Sequence, residues 1–362
     1  MEQSRRVIIS TFSGYMDGEQ WVKLPPADVF EPGHVKFIES MAEAFNSNAE
    51  DLPRPDTTYI PRELYSLALM MPGEGDRIFF IYPQREESAR LADLYKKTLE
   101  EIGLEADFQG YNTARDDNST VSIEMTIKNA LEKILQIAFK PYHILNYGIL
   151  LNGSGGPEEL LPYLSMIWAI FSIPLYYLPR GEVYLIQLPS TGGFSFEVDL
   201  IQLHENRFKE LDREHLMDHD KFFLGLSDEE IHQLSPLLSK YHDKVTLSPL
   251  GYLLWEHYWL ENPPPLPHSE RIPLDKDHLG EVGNELFDDP AFSRFRERLG
   301  WNDLVEDFWY VRDCDPGKTS IEVGDPDFLI CYSGVVLKVR VTGSHPHHFR
   351  EIREELARLV EQ

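Results

Sequence analysis

The feature that most constrains this chain is a glycine-rich turn, Asn152-Gly153-Ser154-Gly155-Gly156-Pro157. It sits between an apolar run, Tyr142 to Leu151, and a helix-like stretch, Glu158 to Phe171. A turn of this kind between a strand and a helix exposes backbone N–H groups, and with the helix dipole it makes a seat for phosphate. A second small-polar turn, Ser10-Thr11-Phe12-Ser13-Gly14, ends the buried-strand pattern Val7-Ile8-Ile9. Two such turns at the same end of one parallel sheet frame a nucleotide site. Two ordinary strand-to-helix turns would look the same in sequence.

The elements around the turns fit that sheet. Arg77 to Tyr82 is rich in β-branched and aromatic residues and reads as a strand, as does Ala106 to Tyr111. Helical spacing of apolar residues marks Pro32–Phe45, Pro61–Met71, Glu86–Ile102 and Ser122–Phe139. Ile144–Leu151 and Pro174–Leu178 complete an alternation of strand and helix, which predicts a doubly wound, mainly parallel α/β sheet. After Pro179, Glu182–Leu188 and Phe194–Leu200 read as a hairpin around Ser190-Thr191-Gly192-Gly193.

From Leu203 to Asn262 the pattern is mostly helical, with a capping box at Ser227–Glu230 and an aromatic-rich helix at Thr246–Leu260. Pro263-Pro264-Pro265-Leu266-Pro267 is a stiff linker. Beyond it come helices at Leu279–Phe287 and Ala291–Leu299. Strands at Asp307–Asp313, Thr319–Val323, Phe328–Tyr332 and Val335–Thr342 and a helix at His347–Val360 follow, the layout of a small α+β domain. The expected division is 1–202, 203–267 and 268–362.

Composition narrows the function. The 362 residues carry a formal net charge of −27, which argues against a nucleic-acid coat or a binder of anionic membranes. Cys314 and Cys331 are too few for a disulfide scaffold or a four-cysteine zinc site, and they are expected to be reduced thiols in a cytoplasmic protein. No leader or membrane span is expected: the apolar run after Arg5-Arg6 is short, and Leu160–Leu178 contains Pro162 and Pro174.

The pairing of Ile8–Gly14 with Asn152–Pro157 resembles the CARF family, the Rossmann-like ligand-sensing domains of CRISPR ancillary proteins. The likeness covers about residues 1–200. It implies a homodimer that binds a cyclic oligoadenylate, cyclic tetra-adenylate by family, as its activator, with no other cofactor. The implied ligand-binding residues are Thr11, Phe12, Ser13, Gly14, Asn152, Gly153, Ser154, Gly155 and Gly156. Pro157-Glu158 stands where that family commonly has Thr-Lys, so the cation is missing and ring-cleaving activity is in doubt. A classical dinucleotide fold would instead place its glycine fingerprint after the first strand. The end domain resembles RelE-type ribosome-dependent mRNA interferases, and the middle segment a winged helix. Together these likenesses imply a type III CRISPR effector: an endoribonuclease acting on mRNA at the ribosome, without DNA or membrane partners.

RNA cleavage by a 2′-hydroxyl needs a base, an acid and cations for the phosphorane. The strand Leu337–Thr342 alternates, with Lys338 and Arg340 on the face opposite Leu337, Val339 and Val341. A solvated sheet face would show the same charges. Tyr310 and Arg312 share one expected face of the neighbouring strand, with Trp309 and Val311 on the other; Tyr310 offers a ring to stack on a base, and an aromatic packed at the sheet edge would read the same. His345, with His347 and His348 nearby, is the candidate acid or base. Lys338, Arg340, Arg312, Tyr310 and His345 are therefore the candidate catalytic residues, with no metal.

Arg340-(x4)-His345 matches a loose HEPN ribonuclease spacing, but on a strand end rather than in a helical bundle. A PD-(D/E)xK site could start at Asp325 or Asp327, but it lacks the carboxylate two residues before Lys338. Against a ribosome-binding role stands the balance from Glu306 to Gln362, 11 acidic against 7 basic residues. A non-enzymatic ligand-binding regulator and a metal-dependent nuclease remain alternatives.

Overall fold

The computed structural model describes residues 5–13, 21–25, 29, 31–47, 59–113, 120–188, 198–267, 290–315, 319–324, 327–332, 334–343 and 345–361. Its contacts divide the chain into two units: one of residues 1–138 and 148–258, the other of 139–147 and 259–362. The expected boundaries at 202/203 and 267/268 are not where the contacts part.

The first unit is built on a six-stranded sheet in the order β5-β4-β1-β6-β7-β8. Its strands are β1 (Arg6–Thr11), β4 (Arg77–Pro83), β5 (Ala106–Tyr111), β6 (Gly148–Asn152), β7 (Leu175–Tyr177) and β8 (Ile186–Leu188). The first five run parallel, and β8 turns back against β7. A short ribbon, β2 (Trp21–Lys23) with β3 (Tyr59–Pro61), stands apart from it. The helices are α1 (Pro32–Ser47), α2 (Arg62–Leu69), α3 (Glu86–Glu101), α4 (Thr120–Ala138) and α6 (Leu161–Phe171), with α5 (Pro141–Asn146) between α4 and β6.

Strand alternation sorts the core. Ile8, Ile78 and Phe80 join Leu64, Leu67, Leu91, Tyr95 and Leu99 of α2 and α3 in one cluster. Val7, Ile9, Phe79 and Ile81, equally buried, face the opposite way. There α4, with buried Ile127, Leu131 and Ile134, packs on β1, β4 and β5. The chain builds outward from β1 through β4 to β5, then returns by α4 to place β6 on the other flank of β1. The strand order therefore reverses between β1 and β6, where both small-polar turns leave the sheet.

The rest of this unit holds a three-stranded antiparallel sheet, β10 (Leu238–Tyr241), β11 (Lys244–Leu247) and β9 (Met217–Asp218), among α7 (Asp199–Leu203), α8 (Glu205–Glu214), α9 (His219–Phe223), α10 (Asp228–Leu234) and α11 (Pro249–Glu261), whose last three residues fall in the second unit. The capping box forms as expected: the Ser227 side chain accepts from the Glu230 N–H, and the Glu230 carboxylate accepts from the Ser227 N–H.

The second unit is a four-stranded antiparallel sheet, β12 (Val305–Asp313), β15 (Val335–Val341), β14 (Phe328–Tyr332) and β13 (Ser320–Val323), in that order. Helices α12 (Pro290–Trp301) and α13 (Pro346–Glu361) pack Phe295, Leu299, Ile352 and Leu356 against Phe308, Leu337 and Val339. Tyr142 and Leu145 of α5 join that core.

Several expectations change. Ile144–Leu151 is not one strand: Pro141, at a helix N-terminal position that suits proline, opens α5, and the strand begins at Gly148. Thr246 ends a strand rather than starting a helix, which begins at Pro249. Of the expected hairpin, Ile186–Leu188 is a strand, but Leu200 lies in α7. Residues 189–197 and the expected helix Leu279–Phe287 lie outside the described residues. Cys314 and Cys331, expected as free thiols, form one disulfide: Cys314, just past β12, donates its N–H to the Gly334 carbonyl at the β14–β15 turn, and its Cα lies 6.3 Å from that of Cys331. Among the described residues no helix is long and apolar enough to cross a membrane, and no group of three or more metal-ligating side chains comes together.

Candidate functional site

The two turns do meet. Thr11 Oγ1 donates to the Gly155 carbonyl oxygen at 2.8 Å. Asn152 is a hub: its Nδ2 donates to Ser10 Oγ and the Glu63 carbonyl, while its Oδ1 accepts from Ser66 Oγ and the Ser154 N–H. Ser154 Oγ accepts from the Leu178 N–H at 3.0 Å. Thr11, Asn152 and Ser154 are all buried. Their hydroxyls and amide hold the loops to each other. Phe12 is fully buried too, 5.1 Å from the Tyr82 ring and 5.3 Å from Tyr95, and belongs to the core. Gly14 lies outside the described residues.

The glycines are required by close approach. A Cβ on Gly155 would stand 2.4 Å from the Thr11 carbonyl oxygen and 2.8 Å from Glu63 Cβ. Gly156 has φ near +91°, a conformation that side chains resist. Gly153 is packed by Leu161, Leu164 and Leu175. Under this turn lies a buried acid: Tyr95 Oη donates to Glu63 Oε1 at 2.8 Å. Burial pushes the Glu63 carboxyl up, and its backbone and Tyr95 hydrogen bonds only partly offset this. Burial first, and Glu63 second, push the Tyr95 hydroxyl well up. Glu158, the acid at the lysine position, ion-pairs with Arg180 on the surface.

Beside the joined turns opens a cavity of about 330 Å³. Its walls come from the carboxyl ends of β1 (Ser13), β4 (Pro83, Arg85) and β5 (Tyr111, Thr113), from the first half of α4 (Ser122, Thr126, Ile127), and from the segment after the glycine turn (Pro157, Glu159, Leu160). Of the implied ligand residues only Ser13 lines it. Arg85 is its cation, and among the described residues no carboxylate forms an ion pair with that side chain. The Tyr111 hydroxyl is pushed up by burial, with Arg85 pulling it down and Glu159 adding to the rise. A hydroxyl-rich wall, an apolar floor and one cation suit a nucleotide-sized anion. The sequence reading missed this set because it converges from five segments. The one available cue was Arg85, placed where β4 passes into α3 at the same edge as the other turns.

In the second unit, Lys338 and Arg340 do share the face opposite the core, as expected. They are not bare. The buried Asp327 carboxylate lies 3.1 Å from Lys338 Nζ and 3.6 Å from Arg340 Nε. The cations also flank Trp309, 5.4 and 5.3 Å from its ring centre. Trp309 pairs directly with Lys338 in register, so it, and not Tyr310, shares the cationic face. Tyr310 pairs with Leu337, packs on the core and donates to Asp313 at 3.0 Å. A bulge between Tyr310 and Arg312 places Arg312 opposite Val336, which breaks the expected shared face; the Arg312 side chain lies outside the described residues.

His345 is buried away from that face. Its Nε2 donates to the Trp259 carbonyl at 3.1 Å, and its Nδ1 accepts from the His347 N–H at 3.1 Å. Burial lowers its pKa to about 4, with smaller pushes from His348 and His347, and against the pull of the Trp259 carbonyl. Both ring nitrogens of this buried histidine are thus engaged within the unit.

No family model matches the chain. No curated protein matches its sequence. Among solved structures, protein VC1899 from Vibrio cholerae is 8% identical, over 93% of this chain and 77% of that one, with a TM-score of 0.26. Can2 from Sulfobacillus thermosulfidooxidans, in complex with cyclic tetra-adenylate, is 9% identical, over 76% of this chain and 72% of that one, with a TM-score of 0.23. Likenesses this slight settle neither fold nor ligand.

Proposed function

We propose that this chain is a ligand-gated sensor, with its N-terminal unit binding a cyclic oligoadenylate at the carboxyl edge of the β1–β6 sheet as a homodimer. The observation that carries this reading is the cavity of about 330 Å³ at the strand-order reversal, with Arg85 on its wall. An open α/β sheet binds its ligands at that place. The ligand is anchored there by Arg85 and by hydroxyls and backbone N–H groups along the edge. The buried residues of the two turns shape the edge without touching the ligand.

Calorimetry with cyclic tetra-adenylate tests it. Binding that weakens about ten- to hundredfold in Arg85→Ala supports the assignment. Absence of binding by the unmodified chain refutes it.

For the output we propose two readings in order. A non-enzymatic regulator comes first, favoured by the pairing of Lys338 and Arg340 with Asp327, which cancels one of the two charges, and by the engagement of both His345 nitrogens. The ribosome-dependent mRNA endoribonuclease comes second: it rests on the exposed Arg340 side chain beside Trp309, which offers a phosphate a cation and a base a stacking surface. Ribosomes, mRNA and cyclic oligoadenylate mixed with the full chain decide between them. Cleavage requiring both ribosomes and ligand reverses the order, and its absence keeps it.

A further inference from the structure

Helix α5 is the one element that the N-terminal half of the sequence contributes to the second unit. Residues 139–147 belong to that unit, while α4 before them and β6 after them belong to the first. Each neighbour leads to the cavity of the proposed sensor. The first half of α4 lines it through Ser122, Thr126 and Ile127, and β6 ends in Asn152 at the glycine turn. Inside the second unit α5 packs on β13 and α13. Asn146 Nδ2 donates to the Val323 carbonyl at 3.4 Å, a long and weak tie. The Tyr142 and Tyr147 hydroxyls meet at 3.1 Å across the helix end.

Beside the start of α5 lies a second cavity, of about 390 Å³. Lys140, Pro141 and Tyr142 line one side of it, and Glu306, Asp327 and Arg340 line another. A void of that size gives a short helix room to shift without a clash, and packed elements respond to small displacements by switching arrangement. The groups that would feel the shift are Asp327 and Arg340, half of the cluster formed with Lys338 and Trp309.

We propose that α5 carries the state of the N-terminal cavity into the second unit: an occupied cavity fixes the first half of α4, and α5, which follows α4 in the chain, resets the Lys140–Asp327–Arg340 cavity. The proposal rests on the sensor reading. Coupling requires that the ligand favour one of two α5 positions, so its size is a ratio of populations.

The test is hydrogen exchange on the full chain with and without cyclic tetra-adenylate, read separately at residues 122–130 and at β13 and β15. The expected result is slowed exchange at 122–130 together with a change of about fivefold or more in β13 and β15. A second protein carries a short run of glycines between Ala138 and Phe139, which slackens the link where the two units part and keeps every native side chain. It should keep the response at 122–130 and lose the response in β13 and β15. Asn146→Ala should weaken the second response in the same way. Protection at 122–130 with β13 and β15 silent in the unmodified chain overturns the coupling and leaves the sensor standing. An equal distant response in the slackened chain overturns the role of α5. No change at 122–130 overturns the sensor reading and the coupling with it.

Discussion

The two units treat their conspicuous polar residues in opposite ways. In the N-terminal unit, Thr11, Asn152 and Ser154 disappear into a hydrogen-bonded seam between two turns, and Arg85 is left at the cavity. In the C-terminal unit the cations that stand out in sequence, Lys338 and Arg340, stay partly exposed but meet a buried carboxylate, Asp327. The first unit hides its motif and leaves a charge elsewhere at a cavity, and the second displays its motif and offsets half of its charge. Residues prominent in the sequence pattern of the first unit are thus ones its fold uses for its own hydrogen bonds.

The sharpest break of this contrast is Gly155→Val. Its side chain would collide with the Thr11 backbone and with Glu63. The expected cost is about 3 kcal/mol or more, read as loss of the N-terminal melting transition while the C-terminal one persists. Tolerance of valine would show that the seam is loose. Next in size is the Cys314–Cys331 disulfide, whose partners are 17 residues apart. Reduction should lower C-terminal stability by about 3 kcal/mol in the chain-entropy model and leave the N-terminal transition in place. An unchanged C-terminal melt would remove the disulfide from the account.

Asp327→Ala comes third. It should cost about 1–3 kcal/mol, since it strips two cations of a buried partner. If the cationic face contacts RNA, the same variant should bind RNA more tightly, which gel-shift titration reads. Weaker binding would contradict the view that Asp327 neutralises the face.

The smallest effect is a difference in pH response. His345, held to about 4, is neutral in the folded state, whereas its unfolded form takes up a proton below about 6.5. The C-terminal unit therefore loses stability as pH falls from about 6.5 toward 4. In the N-terminal unit Glu256 is pushed up to about 7, chiefly by burial and next by Asp212. Its folded form keeps a proton that the unfolded form releases above about 4.5, so its contribution falls as pH rises from about 4.5 to 7. Calorimetric scans from pH 7 to 5 should shift these contributions in opposite directions, and Glu256→Gln should flatten the N-terminal slope. Parallel shifts that survive that substitution would show that other groups control the response.

Much of the architecture was legible because it depends on short-range patterns. The β1 and β4 strands are continuous apolar runs, and α3 and α4 repeat apolar residues at helical spacing. Reading failed where one run serves two elements: Tyr142–Leu151 is largely apolar because α5 and β6 each bury side chains, in different units. It failed again at β12, where Tyr310 faces the core and Trp309 the cations, and a bulge after Tyr310 then separates Arg312 from its face. The glycine turn was visible from its composition, but which of its side chains face inward depends on Glu63, Ser66 and Leu178, far away in sequence. The cavity itself has no sequence signature, since five separate segments each supply one or a few residues.

The central claim is that the carboxyl-edge cavity, and not the cationic face of the second unit, receives the anionic ligand. Calorimetric titration of cyclic tetra-adenylate into the full chain, into Arg85→Ala and into Arg340→Ala tests it directly. The account predicts binding by the unmodified chain, about ten- to hundredfold weaker binding by Arg85→Ala, and unchanged affinity in Arg340→Ala. Unchanged affinity in Arg85→Ala with loss in Arg340→Ala would contradict it.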